Sequence, residues 1–251
     1  MSIADRLKKS SSGESADGSM TLAEHLGELR RRLLIAVIAF LIGGVIAFIG
    51  YEHLLNWLRE PYCRANHGHC SLYVTGPLDG LSLRIKLAAF GGLVLSSPVL
   101  LFELWRFITP GLKKNEKRYA VPFVIASVTL FLLGCFTAYV TFEHALAFLT
   151  AVGGPNLQQI YNPNQYLSLI LLMMFLFGIT FEFPVVLVAL QLARVVTPKQ
   201  LLAVWRWAVI GITLAAAIFT PSGDPLSMLA LAIPLTLFYF LSILIGKLAR
   251  R

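Results

Sequence analysis

The chain has 251 residues, of which 57% are hydrophobic and 14% charged, and its mean hydropathy is +0.74. A soluble domain of that size would need five or six all-round apolar helices in one core, which excludes the soluble class in favour of a membrane one. The net charge of +8 would suit nucleic acid, but topology accounts for it without that partner. The sequence also holds no metal triad, phosphate-binding glycine loop or nucleophile motif, so it recommends neither an enzyme nor a cofactor.

Met1–Ser19 is polar and Ser-rich and reads as a disordered cytoplasmic tail, with Met20 as a second candidate start and no cleavable signal sequence. Thr21-Leu-Ala-Glu24 has the form of a capping box, so a helix begins near Thr21. It carries Glu28, Arg30, Arg31 and Arg32 along the inner interface and enters the membrane at Leu33. Six apolar stretches follow, at Leu33–Tyr51, Leu87–Trp105, Tyr119–Phe142, Tyr166–Leu192, Trp207–Phe219 and Leu226–Ile245. A hydrocarbon core of about 30 Å takes roughly 20 helical residues to cross. Four stretches meet that length, Trp207–Phe219 is short, and the last carries Pro234.

Between the first two stretches, Glu52–Arg84 reads as a long outside loop, broken at Gly76-Pro77, with Leu78–Ile85 beginning an interfacial helix. Cys63 and Cys70 both fall in it. An oxidising exterior permits a disulfide there; free thiols, or a zinc site completed by His67 and His69, are the alternatives. Cys135, inside the third stretch, reads as a packing residue, and so do Gly43-Gly44 and Gly91-Gly92. Glu143–Gln165 reads as the next outside loop, and Thr220–Pro225 as a tight outside turn in which Asp224 bonds backbone groups. Pro98, Pro184 and Pro234 interrupt apolar stretches, Pro122 stands near the start of one, and each kinks its helix unless neighbours compensate.

All but Arg59, Arg64, Arg84 and Lys86 of the 21 basic residues fall in the N-terminal segment, the second and fourth loops, or the C-terminal tail. Basic residues mark the cytoplasmic side of short loops. Both termini are therefore expected in the cytoplasm, with residues 20–246 forming one six-span domain and residues 247–251 a short basic tail.

Against this basic inner face the acidic groups stand out. Glu28 and Glu116 both lie on it, near membrane level. Locally, Glu28 pairs with Arg32 at i,i+4 and Glu116 offsets the lysines around it. The alternative is that both carboxylates receive a partner's cations, where bidentate contact selects arginine. Glu182, in Phe181-Glu182-Phe183-Pro184, lies near the middle of the fourth span, a depth at which an ionisable group marks a functional candidate. A protonated Glu bonded to a neighbouring helix is the structural alternative. Glu103, near the inner end of the second span, reads as structural.

These residues carry a resemblance. His25-Leu-x-Glu28-Leu-Arg30-x-Arg32-Leu33, Ser97-Pro98-Val99, Trp105-x-Phe107-Ile108-x-Pro110-Gly111-Leu112, Glu116-Lys-Arg118 with Pro122, Phe177-Gly178-x-x-Phe181-Glu182-x-Pro184, Phe219-Thr220-Pro221, Asp224-Pro225 and Ala232-Ile233-Pro234 follow one another as in TatC, the multi-spanning receptor family of the twin-arginine protein translocase. The resemblance implies an all-α membrane protein of six transmembrane helices forming a cupped, concave bundle in the cell's inner (plasma) membrane. It implies binding of twin-arginine signal peptides on folded cargo, recruitment of TatA- and TatB-type single-span subunits into an oligomer, and export driven by the proton-motive force. By motif, Glu28 and Glu116 match the arginine-receiving carboxylates, Arg30 and Phe107 lie near them, and Glu182 matches the intramembrane position where partner helices dock. The turn at Pro221–Asp224 is one residue longer than in some members, and Met228 stands where many have Gln. The runner-up is a proton-coupled small-solute transporter using Glu182; a passive membrane scaffold is the third reading.

Overall fold

The structure is a computed structural model that describes residues 22–65, 73–74, 76–108, 120–154 and 162–249. The described residues form nine helices and no strand: α1 Leu22–Ile49, α2 Tyr51–Ala65, α3 Asp79–Ile108, α4 Ala120–Gly153, α5 Pro163–Phe181, α6 Phe183–Leu192, α7 Pro198–Ala203, α8 Trp205–Phe219 and α9 Pro225–Ala249. Five spans are long and apolar enough to cross a bilayer, at Leu26–Ile49, Asp79–Phe107, Val121–Gly153, Pro163–Leu192 and Pro225–Leu248. The sixth apolar helix, α8, has 15 residues and reaches about 22 Å, short of a typical core. The N-terminal tail 1–21, and Cys70 with His67 and His69, lie outside the described residues. Cys63 is disulfide-bonded.

Side chains such as Ile38, Leu41, Ile42 and Val45 of α1 stay exposed on the isolated protein, as expected of a surface that faces lipid rather than water. With little hydrophobic force between helices in lipid, close association depends on small residues that let backbones touch. The two glycine pairs provide this between α1 and α3. A Cβ at Gly92 would lie 2.7 Å from the Gly44 nitrogen, one at Gly43 would lie 2.9 Å from the Gly92 carbonyl oxygen, and one at Gly91 would lie 2.5 Å from the Ala47 Cβ. A second such crossing joins α4 to α5, where a Cβ at Gly134 would meet the Phe177 carbonyl oxygen at 2.6 Å. Cys135 is buried beside it and donates to the Met174 carbonyl at 3.4 Å.

Proline inside a helix orphans the carbonyl four residues earlier, and the structure supplies donors for two of these. Pro98 frees the Val94 carbonyl, which accepts from the Ser97 hydroxyl at 2.7 Å. Pro61 frees the Trp57 carbonyl, which accepts from the Tyr139 hydroxyl at 3.1 Å. The Tyr139 ring also stacks on Trp57 with centroids 4.1 Å apart. Tyr166 donates to the Leu58 carbonyl at 2.7 Å, so α2 is clasped onto α4 and α5 by two tyrosines. On its exposed side Arg64 pairs with Glu60 and holds that carboxyl below the ordinary range by hydrogen bonding and charge.

The span boundaries differ from the sequence expectation in two places. The segment read as the start of an outside loop holds α2, and the segment from Glu143 to Gly153 continues α4 rather than forming a loop. In α2, Leu58 and Tyr62 are buried while Trp57 and Arg64 are exposed; its helical period is masked by Pro61 and the polar residues. In α4, Ala145 and Leu146 are buried against the core, and this packing outweighs the polar pair Glu143 and His144. The turn Thr220–Pro225 is as expected. Asp224 caps α9 by accepting from the Ser227 N–H at 2.6 Å, it pairs with the Ser222 hydroxyl, and Gly223 takes φ 63°, a conformation that favours glycine.

Candidate functional site between the first two spans

The seam that packs α1 against α3 also brings the charged start of α1 beside the end of α3. Arg32 sits between two carboxylates there. Its Nε donates to Glu28 Oε1 at 3.1 Å, its Nη2 pairs with the same oxygen, and its Nη1 donates to Glu103 Oε2 at 3.0 Å. The side chains are 12% exposed at Arg32, 10% at Glu103 and 23% at Glu28. Such a triad is more than a surface pair: little water screens it, and one guanidinium joins two helices. It opens into a cleft of about 120 Å³ lined by Glu28, Arg31, Arg32, Ile35, Glu103 and Arg106.

The i,i+4 pairing of Glu28 with Arg32 is therefore present, and the structure adds Glu103, which the sequence alone reads as structural. No spacing rule links residue 32 to residue 103. The contact follows from the glycine pairs, which place α1 and α3 in backbone contact in the structure. Of the other residues singled out, Arg30 is exposed and is not among the cleft lining, and Phe107 is half-buried at the end of α3. Glu116 lies outside the described residues.

Deeper in the bundle, the fourth span breaks between α5 and α6, and Glu182 is the residue at the break. Pro184 cannot continue the α5 ladder, and the Glu182 N–H turns back to the Ile179 carbonyl at 3.0 Å. The carboxyl lies beside the Ser127 hydroxyl of α4, which itself accepts from the Trp105 indole N–H at 2.6 Å. Ser127 and Trp105 are buried. Glu182 Oε1 is buried and has no hydrogen-bond partner among the described residues. Below it an apolar groove of about 440 Å³ runs between α4, α6 and α9, with Phe123, Pro184, Val185 and Phe238 in its walls. No group of His, Cys, Asp and Glu among the described residues is placed to hold a metal ion.

Comparison with known proteins finds close similarity over most of the chain. The family model described as Sec-independent protein translocase protein (TatC) matches residues 24–234. The Sec-independent protein translocase protein TatC of Frankia casuarinae is 40% identical over 248 residues, covering 94% of this chain and 68% of that protein. Its counterpart in Aquifex aeolicus is 39% identical over 235 residues, covering 92% and 97%. A crystal structure of the twin arginine translocase receptor TatC superposes with a TM-score of 0.73 at 38% identity, covering 90% of this chain and 100% of that one.

Proposed function

The chain belongs to the TatC family of Sec-independent protein translocase proteins, and from that premise we propose that it is the receptor subunit of a twin-arginine translocase. It is a membrane protein and a translocase component, not an enzyme. It binds twin-arginine signal peptides of folded cargo at its cytoplasmic face and works with single-span subunits of the TatA and TatB type in proton-motive-force-driven export. The solute-transporter reading of Glu182 finds no support, because the family is one of protein translocases.

One observation carries the receptor reading: the cleft between α1 and α3 already holds a guanidinium between Glu28 and Glu103. A carboxylate that already holds one guanidinium has the geometry to take another in exchange, since it accepts two N–H groups of a guanidinium side by side. We assign Glu28 and Glu116 as the carboxylates that receive the peptide's arginines, with Arg30 and Phe107 flanking them. Glu182, beside the groove between α4, α6 and α9, is the docking position for a partner helix, for which an uncompensated oxygen offers a polar contact. The inner membrane, with both termini in the cytoplasm, follows from the sorting of basic residues. The disulfide at Cys63 supports it, since such bonds persist in oxidising compartments.

The test is binding of a labelled twin-arginine signal peptide to the full chain in detergent, beside the same peptide with Lys-Lys. A preference for Arg-Arg that is lost in Glu28→Ala and in Glu116→Ala is the expected result. Folded variants that both bind like the native chain refute the assignment.

A further inference from the structure

The described lining of the receptor cleft is not an open anionic pocket. It holds two carboxylates, Glu28 and Glu103, and three guanidinium groups, Arg31, Arg32 and Arg106. Any arginine arriving from a peptide meets carboxylates that already have a cation, and the cation between them belongs to the chain itself. The two carboxylates are not equivalent: Glu28 is the more exposed, at 23%, whereas Glu103, at 10%, lies deeper.

We propose that Arg32 is a resident guanidinium, a tethered competitor for the signal-peptide arginine, and that Glu103 takes Arg32 over when the peptide claims Glu28. The Nη1 bond to Glu103 is made by a different nitrogen from those that reach Glu28. Arg32 can therefore give up Glu28 while staying paired, and no charge is left bare in a poorly hydrated place. This rests on the receptor reading above and adds a basis for selectivity. A ligand must outbid a guanidinium that is held at little entropic cost by its own helix. Peptide arginine presents the same planar fork and can do so, whereas lysine is a compact point charge that cannot reproduce the paired bonds. The cleft thus rejects lysine through the occupant it must lose.

The experiment measures the dissociation constants of Arg-Arg and Lys-Lys signal peptides for the full chain in detergent, comparing the native protein with R32Q, E103Q, the double variant and E28Q. R32Q is expected to bind the Arg-Arg peptide about fivefold more tightly, which converts to about 1 kcal/mol, and to gain more for Lys-Lys, so that discrimination narrows. E103Q is expected to weaken Arg-Arg binding by a similar factor, because the displaced Arg32 loses its second acceptor. In the double variant that penalty disappears and the affinity matches R32Q. Unchanged or weaker binding by folded R32Q overturns the proposal and makes Arg32 a brace that orients Glu28. Should R32Q not fold, R32K decides in its place: it retains the charge and gives up the fork, and must still tighten binding. E28Q separates the two levels. If it binds normally, the receptor assignment of Glu28 fails and the resident arginine with it; if it loses binding while R32Q gains none, only the resident arginine fails.

Discussion

Gly92→Ala tests whether backbone contact between α1 and α3 builds the receptor cleft. A methyl group there would lie 2.7 Å from the Gly44 nitrogen, 2.8 Å from its Cα and 3.0 Å from the Phe40 carbonyl oxygen. All three are backbone atoms, so no rotamer change relieves the overlap. The helices must part by about 0.7 Å to restore ordinary contact, in an interior packed as densely as a crystal. Overpacking of this kind costs about 1–3 kcal/mol, and an unrelieved backbone clash belongs near the top of that range. Replacing a helical glycine returns about 1 kcal/mol of propensity, leaving a net loss of about 2 kcal/mol, or roughly 4–8 °C in thermal midpoint for a chain of this size. Gly211→Ala is the internal control: nothing lies within 4 Å of its Cβ position, so only the propensity gain remains. The assay is thermal unfolding in detergent, with signal-peptide affinity measured on the same samples. Gly92→Ala should fall below the native midpoint while Gly211→Ala equals or exceeds it, and Gly92→Ala should also bind peptide more weakly, because Arg32 bridges the two helices that move. Equal midpoints for the two variants would refute the seam; a lower midpoint with unchanged affinity would show that the cleft does not depend on it.

Three further outcomes are expected. Glu182→Gln should support transport and Glu182→Leu should not, because the break in the fourth span needs a polar group; export of a twin-arginine reporter by the Leu variant at native rate refutes this. Tyr139→Phe should lower stability by about 1–2 kcal/mol, the cost of an unpaired carbonyl, and should cost less in a Pro61→Ala background, where the restored N–H serves Trp57; equal costs in both backgrounds would dissociate the tyrosine from the proline. Arg64 holds Glu60 below its ordinary pKa of 4.5, so whatever the pair contributes is fully present above that value and lost as pH falls through the lowered one. Glu60→Gln and the native chain should therefore converge in thermal midpoint as pH falls below that lowered value, and a gap that persists there would point to packing instead of charge.

What the sequence made legible follows from the range over which each signal acts. The apolar helices and the Asp224 turn rest on neighbours or on the bilayer, and the structure has a helix over each apolar stretch and the turn where its chemistry puts it. Gly43-Gly44 and Gly91-Gly92 could be read as packing residues, but not as partners of each other, since nothing in a lone sequence pairs two helices. That gap hid Glu103, whose meaning depends entirely on Arg32 lying across the seam. The clasped helix α2 escaped notice for a related reason. Its buried face is defined by Tyr139 and Tyr166, far along the chain, while its own composition, with Pro61 at its centre, resembles a loop.

The two rescued carbonyls differ in when they can be rescued. Val94 is served by Ser97, one turn away on the same helix, so the second span is already self-sufficient when it leaves the insertion machinery for lipid, where a bare carbonyl has no water to turn to. Trp57 must wait for Tyr139, two spans later in synthesis. That delay is tolerable because α2, 15 residues long with Glu52, Arg59, Glu60 and Arg64 along it, is too short and too charged to cross a bilayer, so water can hold the carbonyl in the meantime. Biogenesis therefore sets where each kind of proline can be used. One with its donor on the same helix can enter the bilayer at any stage, whereas one that borrows a donor from a later span is confined to the aqueous rim, and the outer helix becomes the last piece to lock.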